Sequence, residues 1–447
     1  MRYVCFFAML FAGELLAQDT TRLRLLFVGD IMQHDAQIAS AFNPISQTYE
    51  YAHTFQWIKP LIQSADLAIG NLEFTLAGKP YKGYPQFSGP DELAFELKKA
   101  GFDVLVTANN HSVDRYKKGI YRTLDMLDSA KIIHTGTFKD SLARAATYPL
   151  LVEKNGFKIA LLNYTYGTNG IPVPPPAQVN LIDTVLIKKD IQQAKAQHPD
   201  AILVLLHFGD EYQRSPNRFQ KRLANLCFRE GAQVVIGSHP HVIQPVEFFP
   251  ERNQLVAWSL GNFLSNQRPR YRNGGLMLWV ELEKIRADSA SSFTRIHNAN
   301  YDLAYVHVDK RKKFHLLPVN HPAGDSLLLR DSLARKTFQE FVTDSRQWLR
   351  NYNRLVPESA DSLVYALVSP IQVDGGWVIL PPASSGRSFF WMDEQLFECR
   401  GTYHTWQKAT EAQLQLGPEV RSKFLIRLVP RSATAPKTRY RSKTPDR

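Results

Sequence analysis

From residue 23 onward, short apolar runs alternate with longer stretches of helical periodicity. The runs fall at residues 23–28, 67–69, 104–107, 159–163, 202–206, 234–236 and 255–258. Between them, helical patterns occupy 90–100, 116–130, 183–197 and 216–230. The first of these follows Ser88-Gly89-Pro90, with proline in the first turn, and stops at Gly101, as helices commonly do. This alternation is the signature of βαβ units rather than of a helical bundle or an all-β sandwich. The segment Ile171-Pro172-Val173-Pro174-Pro175-Pro176 can continue neither a helix nor a central strand, which makes it an extended surface loop suited to bordering a cleft. After 283 the pattern loosens. A strand at 276–282 is followed by the polar break Asp288-Ser289-Ala290-Ser291-Ser292, expected as a loop insertion, then by a strand at 303–308 and a helix at 330–352. Beyond 356, strands such as 377–380 are recognisable without an architecture, and no internal repeat is present.

A chain of 447 residues with 44% hydrophobic content exceeds one ordinary core, so one large α/β domain with an appended region is expected. The division reads as a targeting segment at 1–17, a core at 23–283, a completion of that core at 284–356, an extension at 357–428 and a basic tail at 429–447. The formal charge of +12 would suggest nucleic acid were it spread over the core. It is concentrated instead near the end, where Arg421, Lys423, Arg427, Arg431, Lys437, Arg439, Arg441, Lys443 and Arg447 face only Asp446. A solvated, disordered tail is the expectation, with contact to an anionic polymer or lipid surface as the functional alternative. No nucleic-acid partner is expected.

Arg2 precedes an apolar stretch over residues 3–12, and Leu15-Leu16-Ala17 offers a small residue before Gln18. This reads as a signal segment cleaved after Ala17, and so as an exported protein, periplasmic or at the cell surface. Without cleavage it becomes a membrane anchor, although the run is shorter than the roughly 20 residues that span a bilayer. Removal of the segment leaves Cys227 and Cys399, which could pair in an oxidising compartment. Cys227, among Leu223, Leu226 and Phe228, also fits a small buried thiol.

Ligand-type residues repeatedly follow the carboxyl ends of the apolar runs. Asp30 follows 25–29, Asn71 and Glu73 follow 67–70, Asn109, Asn110 and His111 follow 104–108, His207 follows 202–206, and His239 with His241 follows 234–238. In α/β sheets, ligands bind outside these strand ends, where loops converge. Singly, such an Asp is a helix cap and such an Asn a turn residue. Converging carboxylate, amide and imidazole groups form instead a ligand set for a borderline divalent cation, here Asp30, Asn71, Glu73, Asn110, His207, His239 and His241. Asp114, Asp210 and Glu211 would orient the histidines or recognise substrate, or else serve ordinary helix-start and turn chemistry. Asn262 would face substrate, or else hold its loop through side-chain bonds to backbone. Trp57 and Tyr84 are expected to pack, and His34, His53, His134 and His198 to be structural or solvated.

The ordered series Gly29-Asp30-Ile31-Met32, Gly70-Asn71-Leu72-Glu73, Ala108-Asn109-Asn110-His111-Ser112-Val113-Asp114, His207-Phe208-Gly209-Asp210-Glu211-Tyr212, Gly237-Ser238-His239-Pro240-His241-Val242 and Ser259-Leu260-Gly261-Asn262-Phe263 resembles that of the CapA (poly-γ-glutamate capsule synthesis) family. That family is similar in turn to the calcineurin-like metallophosphoesterases. The resemblance implies a four-layer metallophosphatase-like sandwich, two central β-sheets flanked by helices, with a C-terminal extension. By the same resemblance Asp30 matches the first aspartate, Asn71 takes the place of the bridging aspartate with Glu73 close by, and Asn110 with His111 match an Asn-His pair. His207 matches the isolated histidine, His239 and His241 match the final pair, and His111, with Asp114 beside it, is the acid. Met32 stands where the superfamily has a metal-binding histidine. With Asn71 at the bridging place, this implies one divalent cation per chain (Mn, Zn, Mg or Fe). The function implied is a part in synthesis, export or anchoring of poly-γ-glutamate or a related polymer, as a metal-dependent hydrolase or transferase. Its partners would be that anionic polymer or its precursor and the membrane-bound capsule synthesis machinery. A non-catalytic polymer-handling protein and a periplasmic metallophosphoesterase are the alternatives.

Overall fold

The structure, a computed structural model, describes residues 19–286, 292–320 and 331–359, and beyond them the backbone of strands at 363–371, 377–379, 388–392, 395–403, 425–430 and 439–441. The segment at 1–17 lies outside the described residues. Of the basic tail only 429–430 and 439–441 are described. They belong to the strands Leu425–Pro430 and Arg439–Arg441, which pair with Leu363–Ile371 and Trp377–Ile379.

The apolar runs become strands of two sheets. An 8-stranded sheet runs in the order Phe314–Pro318, Ser292–Val308, Gly274–Arg286, Asp19–Ile31, Leu67–Leu72, Val104–Val106, Ile133–Thr135, with Asn262–Leu264 also paired to Asp19–Ile31. A 6-stranded sheet runs Val246–Phe249, Gln254–Ala257, Val234–Ser238, Ala201–His207, Phe157–Thr165, Leu150–Lys154. Alternation along each strand builds the layers, because successive side chains point to opposite faces. Leu23, Leu25 and Phe27 meet Ile159, Leu161, Leu203 and Leu205 in the core between the sheets. Leu26 and Val28 face outward onto Leu93, Leu97 and Leu127 of the helices Glu92–Ala100 and Tyr116–Ser129. Ala160, Leu162, Ile202, Val204 and Leu206 face the other way, onto Ile187, Ile191, Leu223 and Cys227 of the helices Thr184–Lys195 and Arg218–Glu230. The result is the four-layer α/β sandwich. Cys227 is a free, buried thiol whose pKa burial pushes up to about 12.

The region after 283 departs from its sequence pattern. Of the polar break at 288–292 only Ser292 lies within the described residues, and the strand expected at 303–308 begins there, as Ser292–Val308 antiparallel to Gly274–Arg286. Charge pairing explains how it stays extended. Glu283 takes Arg22 Nη2 at 3.0 Å on one side and Arg295 Nη2 at 2.6 Å on the other, a cross-strand ladder of opposite charges over three adjacent strands. The helix Ser332–Tyr352 sets Phe338, Phe341 and Leu349 against the inter-sheet core beside Tyr305. The proline-rich stretch lies over the helix Tyr116–Ser129, with Ile171 and Val173 against Val113, Ile120 and Leu124.

One close approach aligns the strand ends. Asp30 N donates to Gly261 O at 3.0 Å, and a Cβ on Gly29 would stand 1.9 Å from that same carbonyl oxygen. Strand Asp19–Ile31 therefore shifts register between Val28 and Asp30, which brings Asp30 level with Asn71 and Asn262 on its two neighbours. Gly29→Ala is expected to destabilise the fold by about 2 kcal/mol or more through this overlap, read as a lowered midpoint in urea unfolding. An unchanged midpoint would show that the 260–261 backbone yields freely.

Candidate metal centre

The carboxyl ends of both sheets open on one cleft. The 8-stranded sheet delivers acids and amides: Asp30 from one strand, Asn71 and Glu73 from the next, and Asn109, Asn110 and His111 from the turn after Val104–Val106. The 6-stranded sheet delivers imidazoles: His207 at the end of its strand, level with Ser238 on the next strand, and His239 directly after that serine. Two backbone conformations in the His239-Pro240-His241 turn are unusual, with φ of 100° at His239 and 57° at His241. Side-chain-bearing residues adopt the left-handed region only at a cost, which surrounding contacts must offset.

All seven expected ligand residues are buried at the cleft. Among the described residues, two sets of ligand atoms each lie within 4.8 Å of one another: Asp30, Glu73 and His207, and Glu73, His239 and His241. Glu73 is shared by both. It, rather than Asn71, occupies the position between the two sets. Its side chain is 0% exposed, and neither carboxylate oxygen has a hydrogen-bond donor among the described residues. His207 Nε2 and His241 Nε2 each stand 3.7 Å from its Oε1. Asn71 is spent on hydrogen bonds, donating from Nδ2 to Asp30 Oδ1 at 2.8 Å and lying 3.3 Å from His207 Nδ1. His207 Nε2 meets Asn110 Oδ1 at 2.7 Å, and His241 Nδ1 meets Asp30 Oδ2 at 3.0 Å and Asn262 Oδ1 at 3.1 Å.

Electrostatics describe the same unmet demand. Burial, and then the neighbouring Asp30, raise the pKa of Glu73 well above the usual carboxylate range. Burial, and then His239 and His241, drive His207 well below the usual imidazole range, and burial with His241 lowers His239 to about 4. Neutral imidazoles present lone pairs, and His239 Nδ1 is itself buried without a partner. Orphaned carboxylate and imidazole atoms converging in a closed space fit a divalent cation bound by nitrogen and oxygen. Met32 takes no part: its side chain is 2% exposed within the outward apolar cluster.

His111 stands apart from both ligand sets. Its Nδ1 donates to Asp114 Oδ2 at 2.8 Å, and that oxygen also accepts Phe87 N–H at 2.6 Å. The Phe87 ring packs against the imidazole with centroids 4.6 Å apart. Asp114 thus holds the orientation of the His111 ring. Asp210 is exposed and accepts from Asn217, the cap of the helix Arg218–Glu230, which is the helix-start alternative. Glu211 is exposed and bonded to Tyr212 at the cleft mouth. Asn262 is fully buried and donates to Arg272 O at 2.8 Å, which is the loop-holding alternative.

Four cleft residues carry no site role in the sequence pattern. The Tyr166 ring stands 4.6 Å from that of His239. It follows the strand Phe157–Thr165, so the strand-end rule that found the ligands would have found it too. His34 is half-buried, joined to Gln37 Oε1 at 3.0 Å and edge-on to Phe87 at 5.3 Å. Tyr84, expected to pack, is 69% exposed at the mouth, its ring 6.4 Å from that of Phe87. Tyr212 lies 6.2 Å from His241 and carries Arg272 on its face.

A sequence model of the family described as "Bacterial capsule synthesis protein PGA_cap" matches residues 24–267. The chain is 28% identical over 267 residues to the capsule biosynthesis protein CapA of Bacillus anthracis, covering 56% of this chain and 61% of that one, so it spans less than two thirds of that relative's length. It is 27% identical over 365 residues to the PGA biosynthesis protein CapA of Bacillus subtilis (strain 168), covering 77% and 85%. Among solved structures it is similar to a calcineurin-like phosphoesterase of Bacillus subtilis, at 15% identity, TM-score 0.40 and coverage of 74% and 100%. It is also similar to the NAD nucleotidase of Haemophilus influenzae, at 13% identity, TM-score 0.40 and coverage of 74% and 68%.

If Glu73 is the shared ligand, Glu73→Gln keeps the shape of the site and removes the charge that holds the cation. Manganese or zinc at a hundred times its dissociation constant is expected to stabilise the parent chain by about 2.7 kcal/mol, seen as a rise in Tm that EDTA reverses. The variant should show little or none of that rise. Equal stabilisation of both proteins would remove Glu73 from the ligand set.

Proposed function

The chain belongs to the family of bacterial capsule synthesis proteins, and from that membership we propose that it acts on a poly-γ-glutamate or related surface polymer, or its precursor, as a metal-dependent hydrolase or transferase. The observation that carries the reading is the pairing of a partnerless buried carboxylate, Glu73, with a separate His111–Asp114 pair in the same cleft. A buried carboxylate without a hydrogen-bond donor is costly whether charged or protonated, and a cation bound there removes that cost. An adjacent, oriented imidazole is what acid–base chemistry requires. These two features favour catalysis over the non-catalytic alternative.

When bound by Asp30, Glu73, Asn110, His207, His239 and His241, a divalent cation supplies Lewis acidity and activation of water. The chain's own groups do the rest. Asn71 and Asn262 orient Asp30 and His241 through their hydrogen bonds, so the ligands need little rearrangement. Asp114 fixes the His111 ring with Nδ1–H toward its carboxylate, which directs Nε2 to the leaving group, where it delivers a proton as the amide or phosphoester bond breaks. Phe87 excludes water from one edge of that imidazole. The reading also takes the protein as exported, with the N-terminal segment as its signal and the membrane-bound capsule machinery as its surroundings. No described helix is long and apolar enough to cross a membrane.

The test joins elemental analysis of the purified protein with assays on γ-linked oligoglutamate and on a generic phosphodiester. His111→Ala is expected to retain its cation and its melting temperature while turnover falls about 10²- to 10⁴-fold. Loss of the cation in that variant would make His111 a ligand. Brisk phosphodiester hydrolysis with none on oligoglutamate would move the function to a phosphoesterase.

A further inference from the structure

We infer that Arg272, stacked on Tyr212 at the rim of the metal centre, is a subsite for an acidic group, carboxylate or phosphate, that the substrate carries beside its reacting bond. The inference rests on the proposed metal-dependent reading of the cleft, but it concerns a contact outside the ligand set.

The loop between the strands Asn262–Leu264 and Gly274–Arg286 carries three arginines, and their surroundings differ. Arg268 donates from Nη1 to Val306 O at 3.0 Å, along the sheet edge. Arg270 is held by Asp344 through two bonds of 2.8 Å. Arg272 has neither an ion pair nor a side-chain hydrogen bond among the described residues. Its guanidinium carbon lies 3.3 Å from the centroid of Tyr212. Stacking of this kind engages the face of the guanidinium and leaves the N–H groups around its edge free. An arginine paired like Arg270 braces the structure. One laid flat on an aromatic ring with its donors free is arranged for a planar or tetrahedral anion, which it can grip by two parallel bonds.

Both halves of this platform are fastened to the metal-ligand turn. Tyr212 N donates to Pro240 O at 2.8 Å, between His239 and His241, and Tyr212 itself sits at φ 67°. On the other side, Arg272 O accepts from Asn262 Nδ2 at 2.8 Å, and Asn262 Oδ1 accepts from His241 Nδ1 at 3.1 Å. The arginine and its ring are thereby held in register with the cluster. The ring of Tyr212 stands 6.2 Å from that of His241, which sets the platform beside the metal-ligand turn.

The rim is not uniformly basic. Glu211 is exposed and bonded to the Tyr212 hydroxyl, which sets a negative charge at the hydroxyl end of the same ring. The pair therefore defines where on the rim an acidic group is accepted, rather than attracting every anion. A free carboxylate on a γ-linked glutamyl unit and a second phosphate on a phosphoester share this chemistry, and binding measurements separate them.

The experiment is calorimetric titration of the metal-loaded full chain with γ-linked tetraglutamate, with its methyl ester and with tripolyphosphate. It compares the parent with Arg272→Gln, Tyr212→Phe and Tyr212→Ala, with metal content measured for each. Arg272→Gln is expected to weaken the acidic probe that the parent binds by about tenfold or more, with the metal retained and the ester unaffected. Tyr212→Phe keeps the platform and should bind as the parent does, whereas Tyr212→Ala should weaken the same probe. If tripolyphosphate binding depends on Arg272 while the parent ignores tetraglutamate, the subsite stands and the polymer reading of the function falls. Equal binding by the parent and Arg272→Gln, binding of neither anion by the parent, or loss of metal from Arg272→Gln would each overturn the inference.

Discussion

A carboxylate with no exposure and no hydrogen-bond donor among the described residues, Glu73, is the constraint on which the rest of the centre depends. A charge so placed costs several kcal/mol after all relaxation, and protonation only replaces that charge with a buried polar group in want of a partner. A cation between Glu73 and its neighbours removes both penalties. The division of labour between the sheets gives this a structural meaning. Asp30 and Glu73 rise from one sheet, and His207, His239 and His241 from the other. A bound cation would therefore tie the two sheets together at their carboxyl ends, where the apolar core between them stops.

The same demand accounts for the turn at His239-Pro240-His241. Two left-handed side-chain-bearing residues so close together cost about 1–3 kcal/mol each. They persist because the turn is held from several directions: Tyr212 N–H on Pro240 O, Asp30 and Asn262 on His241 Nδ1, and a bridge between Ile243 and Leu260 just beyond. Without the inversions, alternate residues of an extended segment would point apart. With them, both imidazoles address the one carboxylate.

Much of this was legible in the sequence because burial on both faces and ligand chemistry at strand ends each leave a local mark. Leu25 to Val28 and Ile202 to Leu206 are apolar without interruption, and polar, ligand-type residues stand at their carboxyl ends. The location of the shared carboxylate was not legible. Asn71 lies near the end of the strand Leu67–Leu72 and Glu73 just beyond it, and the register shift at Gly29 sets Asn71 level with Asp30, leaving Glu73 to reach between the ligand sets. Tyr166 stands at a strand end, where the rule that found the ligands reaches it, but Arg272 lies outside the motifs and its relevance depends on a contact across 60 positions, to Tyr212, which no local pattern encodes. The long strand Ser292–Val308 was obscured because its stabilising partner for Arg295 is Glu283, on the neighbouring strand.

Charge balance connects the amides to the function. Asn71, Asn109, Asn110 and Asn262 surround the cluster, leaving Asp30 and Glu73 as the buried carboxylates of the two ligand sets. Asn109 completes the frame, donating to Leu72 O at 2.7 Å and to Asn71 Oδ1 at 3.3 Å. An amide orients a ligand without adding negative charge. One divalent cation is thus already neutralised by the two carboxylates, and a second would leave the centre positive. In a water-poor cleft such a surplus is felt strongly, since Coulomb interactions grow as the effective dielectric falls. Replacing each of these amides by a carboxylate would hold cations more tightly and repel acidic substrates more strongly. The amide frame accordingly favours approach of anions over strength of metal retention, which is the balance the proposed reaction on an acidic polymer would require.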